Sequence, residues 1–285
     1  MHKIIAFSLL MVLSAMGFSQ PLKIAVSIEP QRFLVERIGG DTVKVMTIVP
    51  TGRSPHSYEP TPSQMKELSH SVVWFSIGIE FEKAIMPKIK SLYPHIRIVD
   101  TSIGIKRRIM REEELDKHDH DEVGAEDPHI WMSVRLMKNQ ADVVYKTLVE
   151  MNPSQKALYR KNYENLLKEL DILDHELSRK LAPYKGKEFF IYHPVLGYFA
   201  DDYGLRQISI EIEGKDPSPS QLVKVINLAR ERKVKIIFVQ EGFSKKSAET
   251  VARAIGGKVV EINPLTSDYL NMMRKIGDML VEGWK

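Results

Sequence analysis

Short apolar runs alternate with amphipathic stretches along most of the chain. LKIAVSI (Leu22 to Ile28), VKVMTIV (Val43 to Val49), VVWFSI (Val72 to Ile77) and IRIVD (Ile96 to Asp100) are rich in β-branched residues and too short for helices, so they are expected as strands. Helical patterns lie between them. EPQRFLVERIGG carries Phe33, Leu34 and Ile38 at helical spacing and stops at Gly39 and Gly40. PSQMKELSHS opens on the helix-start residues Pro62 and Ser63, and IEFEKAIMPKIKSL follows the third strand. The alternation returns in the second half, where EFFIYH, RQISIEI, VKIIFVQ and KVVEIN read as strands. Helices are expected there in VLGYFADDYGL, SPSQLVKVINLARERK and SKKSAETVARAIGG, and from about Asp268 onward. Strand and helix in turn predict an α/β fold of two lobes, each a parallel four-stranded sheet with flanking helices.

A long helix joins the two series. After a helix that begins near Ser133, the stretch from Asn152 to Pro183 lines up Leu158, Tyr159, Tyr163, Leu166, Leu167, Leu170, Leu173, Leu177 and Leu181 on one stripe, with Pro153 near its first turn. A helix of that extent is roughly 40 Å long, more than a small domain is wide. It is expected to bridge the lobes across a cleft and to limit their motion. The expected division is 1–19 signal peptide, 20–150 N-terminal lobe, 151–184 bridging helix and 185–285 C-terminal lobe.

The first residues follow a different plan. Lys3, an apolar run from Ile4 to Leu13, and small residues at Gly17 and Ser19 have the layout of a secretory signal peptide cleaved after Ser19. The run is shorter than the roughly 20 residues that span a bilayer. No other segment reads as transmembrane. There is no cysteine, which excludes disulfides, thiolate metal sites and a lipid-accepting residue after the signal. A free periplasmic protein, not embedded in the membrane and expected to be a monomer, follows. The formal charge of +4 comes from 41 basic and 37 acidic residues without a dense basic block, which argues against a nucleic-acid partner.

Chemistry concentrates in the histidines, of which the chain has nine. His70, His95 and His175 fall on a helix end, a loop and the polar side of the long helix, and are taken as structural or solvated. His56 stands after a strand in SPHSYEP, His129 in EDPHIWMS before a helix, and His193 at a strand end in FFIYHPVLGYF. Strand ends and the loops after them line the crevice of a parallel sheet. Each alone is more often a satisfied loop histidine than a ligand. Together, two in the first lobe and one in the second, they suit zinc or a related divalent ion, with a carboxylate or water as fourth donor.

The stretches VPTGRSPHSYEPTPSQ, DPHIWMS, YHPVLGYFADDYGL, EGKDPSPSQL and INPLTSDYLNMM, in this order, resemble the substrate-binding proteins of zinc and manganese ABC transporters, the ZnuA-like group. The likeness runs from about Leu22 to the C-terminus. It implies a two-lobed, helix-bridged protein that hands its ion to a cognate membrane permease, with His56, His129 and His193 as ligands. For the fourth ligand it favours Asp268, ahead of Glu241, Glu59 or water. Zinc members often carry a long His-rich acidic loop, whereas this chain has only DKHDHDE from Asp116 to Glu122, either a weak metal-capturing loop or a solvated one. Manganese members commonly have glutamate where this chain has His193, so zinc is favoured and manganese is the alternative. A catalytic zinc site is the rival of another class. It lacks an HExxH run or an evident general base, so no enzyme is expected. An adhesin would need an anchoring device that the sequence lacks.

Overall fold

The computed structural model describes residues 20–110, 125–211 and 215–285. The expected signal peptide and the DKHDHDE segment lie outside the described residues. The first sheet contains β1 (Leu22–Val26), β2 (Val43–Thr47), β3 (Val73–Ser76) and β4 (Arg97–Asp100), in the order β2-β1-β3-β4 and parallel throughout. The second has β5 (Glu188–Ile191), β6 (Arg206–Ser209), β7 (Ile236–Gln240) and β8 (Lys258–Ile262), in the matching order β6-β5-β7-β8. Central strands of such sheets are covered on both faces, and Ile24, Ala25 and Val26 of β1 are wholly buried.

Helices flank both sheets. α1 (Glu29–Gly39), α2 (Pro62–Leu68), α3 (Glu80–Leu92) and α4 (Val134–Met151) belong to the first half. The second has α6 (Gly197–Tyr203), α7 (Pro219–Glu231), α8 (Lys246–Ile255) and α9 (Tyr269–Trp284). Between the halves runs α5 (Lys156–Leu181), 26 residues and about 39 Å long. Tight helical turns at Pro153–Gln155 and Ala182–Tyr184 extend it at either end, so the helical stretch covers the length that the sequence between Asn152 and Pro183 predicts. Tyr159, Leu166, Leu170, Leu173, Leu177 and Leu181 of the stripe are buried, whereas Leu158 is partly exposed.

The second sheet shows how alternation aims side chains at the cleft. Phe189 and Ile191 of β5, with Ile236 and Phe238 of β7, join a large core shared with α1, α4, α5 and α9. Phe190, Tyr192, Ile237 and Val239 face the other way, into a smaller core under α7 and α8. Continuing the two-residue period beyond β5 puts His193 on the interlobe side. α9 also fastens the lobes: Tyr269 stacks on Phe33 of α1 and donates its hydroxyl to the Trp131 carbonyl.

Candidate metal centre

His56 sits in the loop between β2 and α2, rich in turn-forming residues. Gln64 in the first turn of α2 ties the loop down, donating from Nε2 to the Ile48 carbonyl and accepting from the Tyr58 hydroxyl, both at 2.8 Å. Thr61 caps the helix, accepting from the Gln64 N–H. His129 precedes a tight turn at Ile130–Met132 that leads into α4, capped by Ser133. His193 follows β5, where Pro194 prevents the strand from continuing.

The three rings converge. His56 Nε2 lies 3.0 Å from His193 Nε2, which lies 3.2 Å from His129 Nε2. Two imidazole nitrogens on one tetrahedral zinc are about 3.3 Å apart, given zinc–nitrogen bonds of about 2.0–2.1 Å. The donors therefore stand nearly at coordination spacing. Among the described residues this trio is the one group of three or more candidate ligands with donor atoms all within 4.8 Å of one another.

Each ring is held from behind by a carboxylate on Nδ1: Glu80 on His56 at 2.8 Å, Asp127 on His129 at 2.7 Å and Glu211 on His193 at 2.5 Å. Such partners fix tautomer and ring orientation and make the outer nitrogen a better donor to a metal. Burial pushes the Glu80 carboxyl up, but the hydrogen bond and charge of His56 outweigh it and bring it down to about 2. Asp127 behaves alike: burial raises its carboxyl, and His129 and Arg108 overcome this and hold it below the usual range. Ionised, both carboxylates can only accept, so the Nδ1 protons of His56 and His129 point at them. Their Nε2 lone pairs then face the centre, and facing lone pairs need a cation or a proton between them.

The third pair has the opposite balance. Burial, then the charges of His129 and His56, push His193 well below the ordinary histidine range. Burial raises Glu211 to about 7, against a smaller lowering by His56. Both shifts have one leading cause: burial disfavours the charged form of each partner. Below about pH 7, Glu211 keeps its proton on the His193 Nδ1 side, which leaves the other proton at the His193 Nε2. A cation at the centre would expel that Nε2 proton, move the shared one to Nδ1 and restore the carboxylate.

The cleft around the rings draws on both lobes, with Gly52, Pro55 and Trp131 on one side and Glu241, Phe243 and Asn263 on the other. Trp131 bridges it by donating from its indole to the Pro264 carbonyl at 3.0 Å. At the mouth the loops meet backbone to backbone. Gly52 and Gly242 have φ of +76° and +86°, and a methyl on Gly242 would lie 2.4 Å from the Gly52 oxygen. Of the residues considered for the fourth position, Glu241 lines the cleft and accepts from Asn263 at 2.6 Å. Asp268 stands outside the trio, exposed at the start of α9, with its carboxylate bonded to the Asn271 amide. Glu59 is exposed on the His56 loop. His95 bonds to the Ser69 carbonyl, and His70 and His175 are exposed.

Sequence reasoning did not identify Glu80, Asp127 or Glu211 as partners. Only Asp127 left a local signal, because an aspartate two residues before a histidine can turn back onto it. Here Asp127 Oδ1 accepts from both the backbone N–H and the ring of His129.

Comparison with known proteins identifies the family. The family profile described as zinc-uptake complex component A, periplasmic, matches residues 24–283. The high-affinity zinc uptake system protein ZnuA of Bacillus subtilis is 30% identical over 259 residues, which is 88% of this chain and 81% of that protein. A crystal structure of ZnuA superposes with a TM-score of 0.85 at 35% identity, covering 93% of this chain and 99% of that one. The periplasmic zinc-binding protein TroA of Treponema pallidum, at 20% identity and a TM-score of 0.79, shares the fold. A profile match over nearly the whole described chain, a solved fold of the same plan and three inward-facing imidazoles lead to one assignment: this chain belongs to the ZnuA family of extracytoplasmic metal-binding components of ABC uptake systems.

Proposed function

We propose that the protein captures zinc in the interlobe cleft, with His56, His129 and His193 as ligands, and delivers it in the periplasm to the permease of an ABC transporter. Members of the family are transport components rather than enzymes. One observation supports the zinc assignment above all: the His193 Nε2 stands at near-coordination spacing from the Nε2 atoms of both His56 and His129, and each of the three rings is backed by its own carboxylate. Imidazole donors suit zinc better than manganese, which prefers oxygen. The fourth position falls to water, because no carboxylate among the described residues joins the trio within 4.8 Å. The protein works outside the cytoplasmic membrane as a monomer. None of the helices among the described residues is long and apolar enough to cross a membrane.

Competitive titration of zinc against manganese on metal-stripped protein tests this proposal, followed by an anomalous map at the metal edge. One zinc per chain bound more tightly than manganese, with density between the three rings, is the expected result. Tighter manganese binding would overturn the ion assignment, and no binding of either would overturn metal capture.

A further inference from the structure

Arg108 touches none of the three histidines, yet it stands at the junction of everything that orients one of them. Its Nη1 donates to Asp127 Oδ2 at 3.0 Å, while the other oxygen of that carboxylate, Oδ1, holds His129. Its Nε donates to Asp201 Oδ2 at 2.8 Å. Asp201 lies on α6, which begins four residues after His193. One guanidinium thus grips the carboxylate behind His129 and the helix that follows His193.

The surroundings are shaped to hold this side chain. A methyl on Gly197 would lie 1.7 Å from Arg108 Nη1, so the guanidinium occupies the space that any larger residue would need. The Tyr198 hydroxyl accepts from the Arg108 backbone N–H and donates to the Asp127 carbonyl, both at 3.0 Å, and the guanidinium lies over the Tyr198 ring. Asp127 in turn donates its N–H to the Arg108 carbonyl, beside an antiparallel bridge between Ile109 and Glu126. Asp127 is fully buried and Arg108 about one-fifth exposed, so the pair is shielded from the solvent that weakens surface ion pairs. The neighbouring Arg107 makes a useful contrast. It bonds to the Ile77 carbonyl and the Ser102 hydroxyl, within the first lobe alone.

We infer that Arg108 is a positioning residue of the metal site: it fixes the plane of Asp127, and through it aligns the His129 ring with His193 across the lobes. The planar fork is essential to that role, because it meets two carboxylates in fixed directions where an ammonium would supply only charge. The inference rests on zinc being bound by these histidines.

The test compares R108Q and R108K with the unaltered protein, measuring zinc affinity by competition with a chromogenic chelator and zinc dissociation by stopped flow. Each substitution is made alone and together with His129→Ala. Loss of an outer-shell partner typically costs 10–100-fold in metal affinity. R108Q should weaken binding by about that much, mainly through faster dissociation, and R108K should fall between. With His129→Ala already present, R108Q should change affinity by less than about threefold, since its effect runs through that ring. Unchanged affinity in R108Q, or an equal loss in both backgrounds, would overturn the role. If R108Q does not fold, D201N releases the interlobe half of the grip from an exposed residue, and should speed dissociation where an irrelevant contact would leave it unchanged. Failure of the unaltered protein to bind zinc would instead defeat the function proposed above.

Discussion

His129 and His56 present the same atom to the same point but are held in opposite ways. His129 is packed against Trp131 and backed by a fully buried Asp127, itself tied to Arg108. His56 rides on a loop, its side chain 27% exposed, and its partner Glu80 is 49% exposed. A charge-assisted bond in a buried site keeps most of its strength, whereas an exposed ion pair contributes about 0–1 kcal/mol. One wall of the site is therefore rigid before metal arrives, and the other can yield. This asymmetry suits the proposed function, in which an ion would enter and leave on the yielding side while the rigid side keeps the geometry.

The largest effect should come from removing the rigid ligand. His129→Ala is expected to weaken zinc binding more than about a hundredfold, beyond what outer partners usually contribute, and His56→Ala distinctly less. Equal losses in a chelator competition would erase the distinction between the walls. The carboxylates come next. Asp127→Asn should cost about 10–100-fold and Glu80→Gln less than about threefold, by the same measurement.

Acidity sharpens the contrast further, since Glu211, raised to about 7, is the partner that must lose a proton when metal binds. Protonated Glu211 favours the metal-free state, so affinity rises with pH up to about 7 and levels off above it. Below that point the loss from this proton is about tenfold per pH unit. Calorimetry in buffers of different ionisation enthalpy should count about one proton released near pH 6, and affinity that does not change with pH would refute the exchange. The smallest effects should be those of Asp268→Ala and Glu241→Gln, each within about threefold if water is the fourth ligand. A loss of tenfold or more from either would identify that carboxylate as the ligand instead.

The fold was legible because its signals are local. Strand and helix periods, the stop at Gly39 and Gly40 and the stripe through Leu166, Leu170 and Leu177 each report on nearby residues. Strand ends were less so: β1 stops at Val26 and β5 at Ile191, two residues short of the apolar runs. There the chain turns toward the cleft while its side chains stay buried, so composition does not mark the change. The three histidines could be named because each stands at a junction between elements. Their partners could not, because Glu80 is 24 residues from His56 and Glu211 is 18 from His193, and only the folded sheet brings them together. Glu80 reads in sequence as an ordinary acid in the first turn of a helix.

The meeting of Gly52 and Gly242 provides a gauge for the gap between the lobes. Alanine at position 52 would bear left-handed strain of about 1–2 kcal/mol but only ordinary contact, 3.5 Å from Glu241. At position 242 it would bear the same strain and also press on the opposite main chain. The difference between these two variants isolates a wedge one carbon thick, and on the proposed function the zinc affinity lost to it would measure how much binding depends on the close approach of these two loops.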